Sequence, residues 1–352
     1  MIYVLVAVAL LFLTVLVYYH RQFNSPVGWI AAILIVVIAA IRMNTGTDTK
    51  TYVLIWEATP PWEDISLPLL FGGYLEPGFL LLNSGLHEFL ENPAWFFLLY
   101  AAITMLILRA GLEQLRINQC HALLIYVCIF FLPYTINGMR QAVAMSFFVF
   151  AIPLIQRGDG RRVWLTGIFA ASFHLTGILI IVAHYLQRVL VFRLSRLKYY
   201  LIGMSVAGML LGYSGVVGAL VFKLFPSKHI YQDVFNEGTS LFQLVSRLIL
   251  AATLVFFAER TKNRSQEIRN LMVIYIFGLG LYLMLADFNV LATRFNMFFR
   301  TLEIVCIPMI YRELSSGRRA IFAIITFAAA FATLLVTGFL PDYEYQTIFE
   351  QQ

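Results

Sequence analysis

Residues 27–41 read VGWIAAILIVVIAAI, and residues 42–52 read RMNTGTDTKTY. The first stretch carries no charge, and the indole of Trp29 is its only side chain able to hydrogen-bond. The second delivers Arg42, Asp48 and Lys50 among threonines and a glycine. An unbroken apolar run that stops abruptly at a polar cluster reads as a helix leaving a hydrocarbon core.

Similar runs recur along the chain. Its 352 residues are 61% apolar and only 12% charged, against roughly 25% charged in an ordinary soluble domain. The composition therefore predicts an all-α polytopic membrane protein forming a single integral membrane domain over 1–352. A β-barrel would need short alternating segments, and none occurs. The opening run 1–19 lacks the basic flank and small-residue cleavage site of a signal peptide, so it reads as a retained helix. Cys120, Cys128 and Cys306 are odd in number, lie in or beside apolar runs and fit no zinc spacing. They read as small buried hydrophobes.

Basic residues set the orientation. The clusters at Arg21, Arg109/Arg116, Arg157–Arg162, Arg188–Lys198, Arg260–Arg269 and Arg312–Arg319 can share the cytoplasmic side on two conditions. Segment 72–90, interrupted by Glu76-Pro77-Gly78, must re-enter without crossing. The run 163–190 must fold as a hairpin with His174 near its outer turn. Each arm would have about 14 residues, or ~21 Å, thin for a ~30 Å core. This parse gives about 10–12 crossings with both ends of the sequence outside, the acidic stretch PDYEYQTIFEQQ included. The outer loops 42–71 and 226–240 mix aromatic and polar residues, which suits short amphipathic helices at the interface. The net charge of +6 follows from this topology and is no nucleic-acid signal.

The remaining polar residues collect on the outer side, in RMNTGTDTKTY, YLEPGF (74–79), NGMRQ (137–141), SFHLTG (172–177) and NVLATRFNMFFR (289–300). Ionisable groups at membrane depth usually face a cavity or a partner. Arg140 begins a helix entering the membrane. It is suited to phosphate, and its plainer role is a snorkelling anchor. Arg294 is a second candidate clamp, or an ion-pair partner of Asp287. Arg300 and Glu303, three residues apart, read as a structural pair. Asp48 fits an N-cap. Glu76, inside an apolar segment, requires a nearby arginine or a substrate hydroxyl. His174 is either satisfied by the backbone or a proton acceptor or donor. No metal-ligand spacing, Walker loop or dinucleotide-binding turn is present, so neither a metal nor a cofactor is expected.

Taken in order, these motifs resemble the EpsG branch of the Wzy-type polysaccharide polymerases. That family carries R-x-x-x-G-T-D-x-x-x-Y, E-P-G-[FY], G-x-R-Q-x-[IL]-A, H-x-[ST] and a late R-[FY]. Here Met139 stands between Gly138 and Arg140, and HLTG has threonine where serine is common. The resemblance implies a GT-C-like bundle in the cytoplasmic membrane. Such an enzyme would polymerise undecaprenyl-pyrophosphate-linked oligosaccharides at the outer face, without nucleotide sugar or metal. A flippase and a chain-length regulator are candidate partners, besides membrane lipid. On this reading Arg140, Arg294 and Arg42 clamp pyrophosphate, with Gln141 and Tyr52 also binding substrate. Glu76 or His174 takes the proton of the acceptor hydroxyl, and Asp48 positions it. The outer aromatics Trp56, Trp62, Tyr52 and Tyr74 suit sugar faces or an interfacial belt. A flippase or other transporter, an O-antigen ligase and a membrane acyltransferase are the alternatives. A transporter predicts midplane charges and an internal repeat, neither of which the sequence displays.

Overall fold

A computed structural model describes residues 2–90, 92–190, 196–217, 239–261 and 265–347. Most of the outer loop expected at 226–240 lies outside the described residues, as do Arg193, Lys223, Lys228, His229, Lys262 and Arg264. The chain divides into two compact units, Met1–Ile181 with Ile324–Gln352, and Val182–Ala323.

The first unit starts with α1 (Ile2–Tyr19) and α2 (Asn24–Ala40), followed by β1 (Arg42–Met43) and the short helices α3 (Thr49–Glu57), α4 (Leu67–Gly72) and α5 (Pro77–His87). Next come α6 (Pro93–Gln114) and α7 (Gln119–Tyr126), which continues as a π-helix over Val127–Asn137, then α8 (Met139–Arg157) and α9 (Gly160–Ala171). Local chemistry sets these boundaries. The Asn92 side chain accepts from the Ala94 N–H at 2.8 Å with Pro93 next in line, and Asn118 accepts from the His121 N–H at 3.0 Å, both N-caps. At its other end α8 stops at Gly158, whose φ of 73° is the left-handed conformation that ends helices.

Side-chain bonds tie the helix ends together. At one end the Tyr18 hydroxyl meets His121 Nδ1 at 2.8 Å, and Asn24 Nδ2 donates to Ile117 O at 2.9 Å. Asn118 Nδ2 donates to Thr14 O at 3.0 Å, and Arg109 packs over the Trp29 ring at 3.9 Å. At the other end Tyr3 OH donates to Tyr343 O at 3.1 Å and Tyr345 OH to Ile38 O at 2.8 Å. Segment 341–347 folds back there. Its strand β2 (Gln346–Thr347) pairs antiparallel with β1, Arg42 opposite Thr347 and Met43 opposite Gln346. The polar loop after α2, the end of the π-helix and this returning segment thus share one end of the unit.

The run 163–190 is not one helix but two, with a turn between them. Helix α9 and helix α10 (Leu179–Leu190) are each 12 residues long, ~18 Å. They are joined through Ser172–His174 and a 3₁₀ turn over Leu175–Ile178, with Gly177 packed against the Ala170–Ala171 backbone. His174 sits at the turn. Helix α5, only 11 residues, is ~16 Å long, about half of a ~30 Å core. Its residue Phe79 joins Tyr52 and Trp56 of α3, Phe96, Phe97 and Tyr100 of α6, and Phe173 in one aromatic core.

The second unit holds α11 (Leu197–Tyr213), α12 (Leu241–Ala258), α13 (Gln266–Met284), α14 (Asn289–Arg300) and α15 (Leu302–Glu313). Helix α16 (Ser316–Gly338) begins in this unit and ends in the first. The apolar run 291–311 is not one helix but two, broken at Thr301. The Thr301 N–H is shared between the Met297 and Phe298 carbonyls at 3.2 and 3.3 Å, and its hydroxyl donates to Phe298 O at 2.5 Å. The break aims Arg300 at Glu303, with Nε to Oε1 at 2.7 Å and Nη2 to Oε2 at 2.9 Å, both side chains almost fully buried. The Tyr275 hydroxyl donates to the same carboxylate at 3.0 Å.

Among the described residues eight helices have the length and apolarity to cross a membrane: α1, α2, α6, α7 with its π continuation, α8, α12, α13 and α16. The fold is an all-α multi-pass membrane protein. All three cysteines are buried.

Candidate functional site

The site is assembled from three loops and one helix start in the first unit. Pro77 fixes the first turn of α5, and Glu76 holds the N-cap position without using its side chain to cap. The turn is capped from elsewhere. The Ser172 carbonyl, at the mouth of the α9–α10 hairpin, accepts from Gly78 N at 2.8 Å and Phe79 N at 3.2 Å. A Cβ on Gly78 would stand 2.9 Å from that carbonyl oxygen, so the motif needs glycine here. YLEPGF and SFHLTG are therefore in direct main-chain contact, and the Glu76 carboxylate is released for other work.

That carboxylate pairs with Arg140. Arg140 Nη1 donates to Glu76 Oε2, with both side chains about a quarter exposed, 25% and 22%. The Arg140 guanidinium also donates to the Tyr52 hydroxyl and stacks over Phe79 at 5.3 Å. Burial raises the Tyr52 phenol above its ordinary range, and Arg140 opposes that shift. Arg140 occupies the first turn of α8, where the unpaired helix N–H groups already disfavour a cation. Guanidinium and helix start together call for an anion, which Glu76 supplies.

Arg42 lies behind this pair. It is fully buried, 0% exposed. Nη1 donates to Ala39 O at 2.7 Å, and Nη2 donates to Ile136 O at 3.1 Å and contacts Met139 Sδ at 3.2 Å. Its guanidinium stacks over Phe97 at 4.3 Å. Burial lowers it to about 9, so it is still a cation at neutral pH. Arg42 binds the Ala39 carbonyl near the end of α2 to the Ile136 carbonyl of the π-helix, a bracing arrangement the sequence did not suggest.

Asp48 occupies the N-cap position of α3 but makes no side-chain capping bond; its exposed carboxylate accepts from the Thr47 hydroxyl at 3.1 Å. The Asp48 carbonyl accepts from Tyr52 N at 2.9 Å, so the same helical turn carries both residues. Gln141 is buried in α8 beside Arg140. His174 Nδ1 accepts from Thr176 N at 3.3 Å and meets Thr176 Oγ1 at 2.8 Å. Accepting at Nδ1 assigns the ring proton to Nε2. The structure thus gathers Arg42, Asp48, Tyr52, Glu76, Arg140, Gln141 and His174 into one unit. Arg294 belongs to the other unit, exposed on α14.

Sequence reasoning missed Tyr343. Asn137 Nδ2 donates to its hydroxyl at 2.5 Å, and the Asp342 carbonyl accepts from Gly46 N at 2.6 Å. A tyrosine in an acidic stretch, with another two positions on, carries no sequence signal of this.

A family model described as the EpsG family matches residues 27–348 of the chain. The match runs from the first residues of α2 to just past β2. No curated protein and no solved structure matches the chain significantly.

Proposed function

The chain belongs to the EpsG family, a Wzy-type family of polysaccharide polymerases, and from that premise we propose that the Glu76–Arg140 pair is the centre of its glycosyl transfer. The donor is an oligosaccharide on a polyprenyl pyrophosphate, and the acceptor is a hydroxyl of a second lipid-linked unit. In the reaction the acceptor oxygen bonds to the donor's anomeric carbon. The bond from that carbon to the pyrophosphate breaks, and the acceptor's proton passes to a base. Arg140, at a helix start, stabilises the charge that develops on the departing pyrophosphate. Glu76 is the base. His174, protonated at Nε2 in this hydrogen-bond arrangement, serves as a hydrogen-bond donor instead.

The observation that carries this reading is the paired state itself. A carboxylate and a guanidinium sit together at a part-exposed site, where substrate can come between them. Tyr52 fixes the guanidinium from the far side, Asp48 positions the acceptor, and Arg42 braces the scaffold beneath. The reading uses residues of the first unit; Arg294, on the second, keeps its proposed role as a second pyrophosphate clamp. The site faces the outside of the cytoplasmic membrane. The end of the unit that carries Arg21, Arg109 and Arg116 is the basic one and faces the cytoplasm.

Purified protein given a lipid-linked repeat unit should produce a ladder of longer glycans without ATP. Arg140→Ala and Glu76→Gln should each abolish the ladder while leaving the amount of folded protein unchanged. Normal polymerisation by either variant refutes its assigned role. In whole cells Lys50→Cys should react with an impermeant maleimide and Gln114→Cys should not; the reverse pattern overturns the orientation.

A further inference from the structure

The acidic segment after α16 is bonded to the loop that carries Asp48 and to the end of the π-helix before Arg140. The Tyr343 hydroxyl accepts from Asn137 Nδ2 at 2.5 Å, and Tyr343 is 7% exposed. Asn137 lies three positions before Arg140. The neighbouring Asp342 carbonyl takes the Gly46 N–H at 2.6 Å. Thr45 Oγ1 donates to Glu344 O at 3.2 Å and accepts from Gln346 N at 3.1 Å. Gly46 in turn lies against Asn137, whose Oδ1 would stand 2.2 Å from a Cβ there. Two chain segments therefore meet around Tyr343, Asn137 at its hydroxyl and Thr45–Gly46 at its neighbours Asp342, Glu344 and Gln346. One continues through Gly138 to Arg140; the other continues through Asp48 to Tyr52, the residue that hydrogen-bonds Arg140.

We infer that Tyr343 is a positioning residue for polymerisation, its hydroxyl setting the spacing between the loop that carries Asp48 and the helix start that carries Arg140. The inference rests on the proposed role of Arg140 and Asp48, and it adds segment 341–347 to the working parts of the site. Burial first, and the Asp48 carboxylate second, hold the phenol protonated. Tyr343 therefore keeps its proton in the working range, and Asn137 approaches the oxygen from its donor side. Other parts of the segment, Tyr3 to the Tyr343 carbonyl and Tyr345 to Ile38, anchor it without touching the hydroxyl.

Full-length Tyr343→Phe keeps the ring and removes the hydroxyl alone. It should lower kcat roughly tenfold, about 1.4 kcal/mol, with KM and thermal stability little changed. Tyr3→Phe, which loosens the anchor only, should leave kcat within about twofold. A double variant Tyr343→Phe/Asp48→Asn should be no slower than Asp48→Asn, because the two groups act as a unit. Wild-type kcat in Tyr343→Phe, or effects that multiply in full, overturns the inference while the ladder from the unaltered protein still supports the polymerase. A labelling measurement needs no activity. Thr45→Cys, buried under the segment in an otherwise unaltered chain, should resist an impermeant maleimide and become reactive when Tyr343→Ala is added. Equal reactivity in the two backgrounds also overturns it.

Discussion

The Ser172 carbonyl accepts two main-chain hydrogen bonds from the start of α5, one from Gly78 and one from Phe79. This contact makes the E-P-G motif depend on the S-F-H-L-T-G hairpin. Gly78→Ala places a methyl group 2.9 Å from a backbone oxygen, so the hairpin must shift and the two bonds stretch. A loss of about 1–3 kcal/mol is expected. Thermal unfolding in detergent should register it, and polymer length should fall because Glu76 turns with its helix. An unchanged melting point and unchanged ladder would mean the hairpin yields freely.

A charge swap separates structure from chemistry at the ion pair. Arg140→Glu with Glu76→Arg restores opposite charges across the same gap. A part-exposed pair is worth only about 0–1 kcal/mol after screening, so the swapped chain should fold nearly as well as the original. It should nevertheless fail to polymerise, since the cation no longer stands at the first turn of α8. A swapped chain with normal polymerisation would reduce the pair to a strut.

The Arg300–Glu303 pair predicts a purely structural cost. Glu303→Gln leaves a nearly buried guanidinium without its counter-charge, which should destabilise the second unit by about 3–5 kcal/mol. Arg300→Met with Glu303→Leu removes both charges and should unfold at a temperature closer to the unaltered protein. A double variant less stable than Glu303→Gln would show that the pair does more than cancel its own charges.

Alkaline titration tests the buried state of Tyr343. Burial first, then the Asp48 and Asp342 carboxylates, push its phenol up to about 12. The folded value lies above the roughly 10 of an exposed tyrosine, so the folded chain holds this proton more tightly than the unfolded one. The resulting stability is complete below about pH 10 and is lost as pH rises through the folded value. A difference absorbance titration, unaltered protein minus Tyr343→Phe, should show no tyrosinate from this residue near pH 10. Ionisation there would place the phenol in water.

The membrane fold was legible because apolar run length is a direct physical requirement of the bilayer. The break near His174 was legible because FHLTG interrupts an apolar run, and the chain turns there between two short helices. What a sequence does not reveal is which polar residue is consumed by the protein itself. Arg42 and Arg140 both follow the pattern of a polar motif at a membrane edge. One has its guanidinium bonded to the carbonyls of Ala39 and Ile136, and the other is left a quarter exposed against Glu76. That difference depends on where two distant backbone ends meet. Tyr343 was illegible for the same reason, its partner Asn137 and the Gly46 that bonds the neighbouring Asp342 lying hundreds of positions away. The split at Thr301 is illegible because a buried arginine and threonine look like ordinary interruptions of an apolar run.

The π-helical stretch Val127–Asn137 takes more than four residues per turn, as the Gly138 N–H reaching back to Pro133 O at 3.1 Å displays. Each residue of an α-helix advances by about 100°, so the wider winding sets the rotational phase of everything that follows. Deleting one residue here would let the stretch rewind as α. Asn137 and the start of α8 would then be turned by about a quarter of a revolution. The Ile136 carbonyl would leave Arg42, the Asn137 amide would leave Tyr343, and Arg140 would point away from Glu76, all without a change to any of those side chains. The stretch works as an angular spacer, and its length in residues is as much a determinant of the site as the residues the site displays.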